Sequence, residues 1–115
     1  LAGQQKKVLA LTSRAGAFSY NTDAQAPKLP GHYFYGGSKA ALNLMFVTLA
    51  NDTRRQGLTV AVLSPGQVDT RGVGTTGPHI VPIEKSIAGL ISVIDGLTLA
   101  DGGSFRNWDG AAIDW

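Results

Sequence analysis

The stretch GGSKAALNLMFVTLANDTRRQ, residues 36–56, determines the topology because this long helix-forming segment lies between two short apolar runs. The runs are VLALT at residues 8–12 and TVAVL at residues 59–63. Neither run alternates apolar with polar residues, which indicates strands that are buried on both faces of a parallel sheet. Strands joined by a crossover of this length run parallel, so the three segments predict a β–α–β unit.

The rest of the chain extends this unit into an α/β fold. Gly57 follows the helical segment directly and predicts its C-terminal end. Residues 82–95 have isoleucines at helical spacing and predict a second helix, and residues 104–108 predict a final strand. We therefore expect about three strands with flanking helices, the C-terminal half of a Rossmann-type doubly wound parallel sheet. Residues 1–115 are expected to form a single partial domain.

Composition and charge exclude several classes of function. A net charge of +2 is too small to argue for binding to nucleic acid or to an anionic membrane. The absence of cysteine excludes a disulfide scaffold and a thiolate metal site, and it is typical of a cytoplasmic protein. His32 and His79 lie in separate loops without a carboxylate at ligand spacing, so we predict no metal site. Trp108 and Trp115 are interpreted as packing residues of an edge strand or of a subunit interface.

Tyr35 and Lys39, at the start of the predicted helix, are the first residues that indicate a catalytic function. Residues four apart lie on one face of a helix, so both side chains can approach the same ligand. A free phenol has a pKa of about 10, and a cation within about 4–6 Å lowers such a pKa by roughly 1–3 units. A phenol activated in this way can act as a general acid–base catalyst near neutral pH.

Ser13 lies just past the carboxyl end of the first strand, at the edge of the sheet where open α/β folds bind ligands. A hydroxyl there can hydrogen-bond a substrate carbonyl beside the phenol of Tyr35. Serines are also common as turn residues after strands. Both interpretations of Ser13 remain open from the residues alone.

Three segments, in order along the chain, resemble motifs of the short-chain dehydrogenase/reductase family. Thr12-Ser-Arg-Ala-Gly16 resembles its serine motif S-x-x-G, and Tyr35-Gly-Gly-Ser-Lys-Ala-Ala41 resembles its Y-x-x-x-K active-site segment. Ser64-Pro-Gly-Gln-Val-Asp-Thr70 resembles its P-G-x-V-x-T loop. The ending at residues 95–110 is similar to that of C-factor-like and sniffer-like carbonyl reductases of this family.

The resemblance implies an oxidoreductase that uses NAD or NADP and acts on a small-molecule carbonyl/alcohol pair. It implies that Ser13 orients and polarises the substrate, that Tyr35 transfers the proton, and that Lys39 activates Tyr35. Tyr35 and Lys39 would also bind the cofactor, with Lys39 on the nicotinamide ribose. The further residues implied to border the nicotinamide are Pro65, Gly66, Val68 and Thr70.

A second glycine-rich stretch, GVGTTG at residues 72–77, matches the G-x-G-x-x-G pattern of dinucleotide phosphate sites. That pattern works only where it follows a strand and opens a helix, whereas this copy stands in a loop and is followed by Pro78. We interpret it as a flexible substrate loop. The resemblance places the phosphate-binding glycines, and the residue that selects NAD or NADP, upstream of Leu1.

The helical segment 36–56 is apolar nearly all round, so one face covers the sheet and the rest needs a further partner. A second subunit and a neighbouring helix of the same molecule both satisfy this need. Our prediction is a homo-oligomer, a dimer or tetramer, formed through this helix. The alternative to an enzyme is a non-catalytic remnant of the family, or a C-factor-like signalling or binding module, that retains the site residues.

Overall fold

The computed structural model describes residues 5–25, 33–72 and 77–115. In this part of the chain one sheet has three strands in the order β1-β2-β3. The strands are β1 (Lys7–Leu11), β2 (Thr59–Ser64) and β3 (Phe105–Asn107). All neighbours run parallel, with Lys7 opposite Thr59 and Val62 opposite Phe105. The predicted α/β class and its parallel β–α–β unit are therefore confirmed.

The helices are α1 (Phe18–Thr22), α2 (Tyr33–Thr53) and α3 (Ile83–Gly96). Helix α2 begins at Tyr33 rather than at the predicted residue 36, so Tyr35 lies inside its first turn. A short 3₁₀ turn follows α2, and Gly57 ends it in the left-handed conformation at φ 73°. Glycine adopts that conformation without a Cβ penalty, so the predicted helix end is confirmed.

Burial differs between the two strands that were predicted to be buried on both faces. Every residue of β2 is buried, as expected for a strand with a neighbour on each side. In β1 only Ala10 is buried, and Leu11 is 57% exposed. The burial on both faces that the apolar run predicts is not seen among the described residues, in which β1 stands at an edge of the sheet and pairs with β2 alone.

The segment after β3 folds back along the sheet. The backbone N–H of Asn107 donates to the carbonyl of Ala111 at 2.8 Å, and that of Ile113 donates to Phe105 at 2.9 Å. The ring of Trp115 then meets Phe105 edge-on, with centroids 5.1 Å apart. Trp115 is therefore a packing residue beside an edge strand, as predicted.

The GVGTTG stretch lies between β2, which ends at Ser64, and α3, which begins at Ile83. It therefore neither follows a strand directly nor opens a helix, which argues against a phosphate-binding turn. Residues 73–76, on which the substrate-loop interpretation depends, lie outside the described residues, as does His32. Among the helices that are described, none is both long and apolar enough to cross a membrane.

Candidate active site

A cleft of about 530 Å³ lies where the carboxyl ends of the three strands meet. Ser13 follows β1, Ser64 ends β2, Asn107 ends β3, and all three residues line this cleft. Its volume is typical of sites for small molecules and cofactors. The remaining described residues of its wall are Arg14, Ala15, Tyr20, Tyr35, Gly66, Gln67, Val68, His79, Val81 and Trp108.

Two close backbone approaches hold the start of α2 against the turn that carries Ser13. A Cβ added at Gly16 would lie 2.6 Å from the carbonyl carbon of Lys39 and 2.7 Å from the nitrogen of Ala40. A Cβ added at Gly36 would lie 3.0 Å from the carbonyl oxygen of Ala15. The glycine of the S-x-x-G motif therefore lets the Tyr35–Lys39 helix pack directly behind Ser13.

Ser13 caps a turn with its hydroxyl oxygen and still has a hydroxyl proton to donate. It caps the 3₁₀ turn Arg14–Gly16, because its Oγ accepts the backbone N–H of Ala15 at 3.1 Å. A hydroxyl that accepts one hydrogen bond still has its own proton to donate. The turn interpretation and the substrate-binding interpretation of Ser13 are therefore compatible.

The side chains of Tyr35 and Lys39 lie together, as their spacing predicts. The Nζ of Lys39 lies 5.8 Å from the centroid of the Tyr35 ring, within the range of a cation–π contact. Tyr35 is 47% exposed and lines the cleft beside Ser13, whereas Lys39 is half-buried and lies outside the cleft wall. The ammonium thus lies near the ring of Tyr35, and Tyr35 forms part of the cleft wall.

The predicted cofactor-binding segment after β2 lies only partly on the cleft. Gly66 and Val68 line the cleft, but Pro65 and Thr70 do not. The carbonyl of Pro65 accepts the hydroxyl of Ser86 at 2.6 Å, and the exposed Thr70 donates its N–H to Val68 at 3.0 Å. Pro65 is therefore an attachment point of the segment to α3 rather than part of the cleft wall.

Several residues of the wall were not singled out from the sequence as parts of the site. Tyr20 on α1 lines the cleft, and so does the exposed His79. Trp108 was interpreted as edge-strand or interface packing, but it follows β3 in a turn and lines the cleft instead. Only its place just after the last strand, at the carboxyl edge of the sheet, was a usable signal.

The described part of the cleft wall contains a cationic side chain and no anionic one. Among its described residues Arg14 is the only lysine or arginine, and none is a carboxylate. The pKa of Asp109, the residue after Trp108, is lowered first by a hydrogen bond from the N–H of Ala111 and also by the charge of Arg14. A ligand that carries negative charge therefore meets no carboxylate on this wall.

The chain is similar to several curated proteins along nearly all of its length. It is 34% identical to the C-signal protein of Myxococcus xanthus, over 98% of this chain and 63% of that protein. It is 32% identical to the short-chain dehydrogenase srdF of Neurospora crassa, over 98% of this chain and 46% of that protein. The chain is therefore similar to the short-chain dehydrogenase/reductase family along nearly all of its length. No family model matches the chain, so this likeness rests on its relatives.

Solved structures agree with this likeness to the family. The fold superposes on the NADPH-bound carbonyl reductase from chicken fatty liver with a TM-score of 0.81 and 29% identity, covering 95% of this chain and 42% of that one. It superposes on the carbonyl reductase Sniffer of D. melanogaster with a TM-score of 0.80 and 29% identity, covering 41% of that chain. The predicted likeness to C-factor-like and sniffer-like members is confirmed. The chain spans about half of the length of these relatives.

Proposed function

We propose that this chain carries the acid–base residues of an oxidoreductase that uses NAD or NADP and acts on a carbonyl/alcohol pair. The observation that carries the proposal is the arrangement of Ser13, Tyr35 and Lys39. The first two face one cleft, and the Lys39 ammonium lies 5.8 Å from the Tyr35 ring. An enzyme that transfers a proton to an oxygen needs a donor and a polarising group on the same side of that oxygen.

Residues of the cleft fit a nicotinamide cofactor. Gly66, which has no side chain, and the apolar Val68 line the cleft together with hydroxyl-bearing residues, including Ser13, Tyr35 and Ser64. The cleft is large enough for a flat ring and a small carbonyl compound, and its described wall has no carboxylate to repel phosphate groups. Similarity to a reductase described as NADPH-bound makes NADPH the first cofactor to test. When bound, such a cofactor supplies or accepts a hydride at the substrate carbon.

The residues of this chain then have separate tasks. Ser13 donates its remaining proton in a hydrogen bond to the carbonyl oxygen and so withdraws electron density from the carbon. Tyr35 gives its proton to that oxygen in reduction, and in the reverse direction it takes the proton of the alcohol. The Lys39 ammonium stabilises the phenolate that Tyr35 becomes, because opposite charges attract strongly next to a partly desolvated ring.

Replacement of Tyr35 by Phe tests this function in the complete gene product. General acid–base catalysis contributes roughly 10²–10⁴-fold, so kcat/KM for NADPH-dependent carbonyl reduction should fall by that factor. Free energy of unfolding should change by less than about 0.5 kcal/mol, because the side chain is half-exposed. Tyr33→Phe is the matched control, since Tyr33 lies in the same helical turn and is 84% exposed. Undiminished turnover in Tyr35→Phe would refute the assignment.

A second candidate is a signalling or binding protein that keeps the site but does not turn over. Similarity to a protein named C-signal favours it. Titration of the complete gene product with NADPH and with NADH, followed by cofactor fluorescence, separates the two candidates. Micromolar binding together with carbonyl-dependent oxidation of NADPH supports the enzyme. Absence of oxidation, with or without NADPH binding, supports the second candidate.

We also propose that copies of the protein associate through α2. Leu44 and Met45 are 68% and 60% exposed on this helix, although both are large apolar side chains. Removing such surface from water stabilises an association by about 25 cal/mol per Å² of apolar area.

A further inference from the structure

The indole of Trp108 fills the space between α3 and the segment that follows β2. A Cβ added at Gly66 would lie 2.9 Å from Cδ1 and 3.0 Å from Nε1 of the indole. A Cβ added at Gly89 on α3 would lie 2.9 Å from Cε3, and closer still to the carbonyl oxygen of Trp108. Two glycines from different elements thus make room for one side chain. The five-membered ring rests on Gly66, and the six-membered ring rests on Gly89.

The turn after β3, which carries Trp108, is stabilised by hydrogen bonds of its own. The side-chain amide of the buried Asn107 and the backbone N–H of Ala111 both donate to one carboxylate oxygen of Asp109, each at 3.0 Å. On the other side, the Nζ of Lys85 lies 5.4 Å from the centroid of the Trp108 ring. An ammonium over an indole face is attracted by the electrons of the ring. Trp108 therefore has little freedom to move.

Two hydrogen bonds join the segment Pro65–Val68 to described residues far from it along the chain, one on each side of Gly66. Ser86 donates to the carbonyl of Pro65 at 2.6 Å, and the backbone N–H of Val81 donates to the carbonyl of Gln67 at 2.8 Å. Between them Gly66 adopts φ 79°, a conformation that glycine leaves easily. The indole of Trp108 therefore contacts the segment at Gly66, the residue whose backbone changes conformation most easily.

We propose that Trp108 is a positioning residue that sets the placement of Pro65–Val68 along the cleft wall, and thereby the affinity of the site for its nicotinamide cofactor. The second part rests on the proposed function. Without the indole, Gly66 keeps only the Val81 side chain against it, and the segment samples other placements. Apparent affinity falls in proportion to the fraction of molecules that hold the binding-competent placement. Once bound, the cofactor contacts the segment and restores that placement, so turnover changes less than affinity.

Amide hydrogen exchange in the protein without cofactor tests the first part. The reporter is the amide of Val81, because its hydrogen bond to Gln67 exists only when the segment is in place. We expect Trp108→Ala to speed this exchange by at least about tenfold, as for a local opening, and Trp108→Phe to restore most of the protection. The amide of Val62, which donates to Ser104 inside the sheet, should keep its rate.

Steady-state kinetics of the complete gene product test the second part. We expect Trp108→Ala to raise KM for NADPH about tenfold, which corresponds to one molecule in ten holding the competent placement, while kcat falls less than threefold. Trp115→Ala is the matched control, because it also removes an indole but one that packs on Phe105. Trp108→Leu serves the same comparison if Trp108→Ala does not fold.

Three results would overturn the inference. They are equal acceleration at Val81 and Val62, an unchanged Val81 rate, or an unchanged KM for NADPH in an active variant. Failure of the proposed function looks different, because the wild-type protein would then fail to oxidise NADPH, whether or not it binds it. The exchange measurement without cofactor would still decide whether Trp108 positions the segment.

Discussion

Replacement of Gly16 by Ala is expected to separate Ser13 from the helix that carries Tyr35. The new Cβ would lie 2.6 Å from the backbone carbonyl carbon of Lys39 and 2.7 Å from the backbone nitrogen of Ala40. Carbon atoms in good contact are about 3.5–4.0 Å apart, so α2 must move away by roughly 1 Å. Both obstructing atoms belong to the backbone of α2, and no change of rotamer can relieve the overlap.

The displacement has a predictable effect on catalysis and on stability. A misplacement of about 1 Å can cost roughly 10²-fold in rate, so kcat/KM for carbonyl-dependent oxidation of NADPH should fall by about that factor in Gly16→Ala. Overpacking of a tight contact costs roughly 1–3 kcal/mol, which urea unfolding measures. The rate is followed from the loss of NADPH absorbance with the complete gene product, under conditions in which the variant remains folded.

Gly37→Ala is the matched control on the same helix. No described atom from elsewhere in the chain lies within 4 Å of a Cβ at Gly37, and replacing glycine in a helix by alanine stabilises it by roughly 0.5–1 kcal/mol. Its activity should therefore stay within about twofold of the wild type. If Gly16→Ala is as active as Gly37→Ala, close packing at Gly16 does not align the catalytic groups.

Three further predictions address charge and association. A hydrogen bond from the backbone N–H of Thr98 lowers the pKa of Asp101 from its ordinary value of 3.8. The stability that the Asp101 carboxylate contributes is therefore present above pH 3.8 and is lost as the pH falls below that value. In that range, urea unfolding should show that the stability of Asp101→Asn depends less on pH than that of the wild type. Leu44→Glu should shift the complete protein towards monomers in light scattering, and a strictly monomeric wild type would refute association through α2. Lys39→Met should slow NADPH-dependent carbonyl reduction by at least about tenfold, because no ammonium then stabilises the phenolate that Tyr35 becomes; an unchanged rate would contradict that role of Lys39.

The sequence predicted the central β–α–β unit because each of its features is local. Apolar runs indicate buried strands, Gly57 indicates the end of a helix, and two residues four positions apart share one face of a helix. The start of α2 was missed by three residues, since glycines at positions 36 and 37 gave no local reason for the helix to begin earlier. Burial of β1 was overestimated because a short apolar run does not reveal whether a strand is central or at an edge.

The side of the cleft that carries Ser13 and Tyr35 could be anticipated in more detail than the side that carries Trp108. Tyr35 and Lys39 belong to one short motif whose spacing implies a shared helix face, and Ser13 follows a strand at the same edge of the sheet. Trp108 could not be recognised in the same way, because its role depends on Gly66 and Gly89. Those glycines stand in a loop and a helix far along the chain from each other, and only the folded molecule brings both against one indole.

The proposed cooperation of Ser13 and Tyr35 on one substrate oxygen is tested most directly by a double-mutant cycle. The measurement is kcat for carbonyl reduction in Ser13→Ala, Tyr35→Phe and the double variant of the complete gene product, each checked for folding. Groups that act as a unit give non-additive losses, so the double variant should be about as slow as the slower single variant. Losses that multiply, or a single variant that keeps full activity, would contradict a shared role in proton transfer.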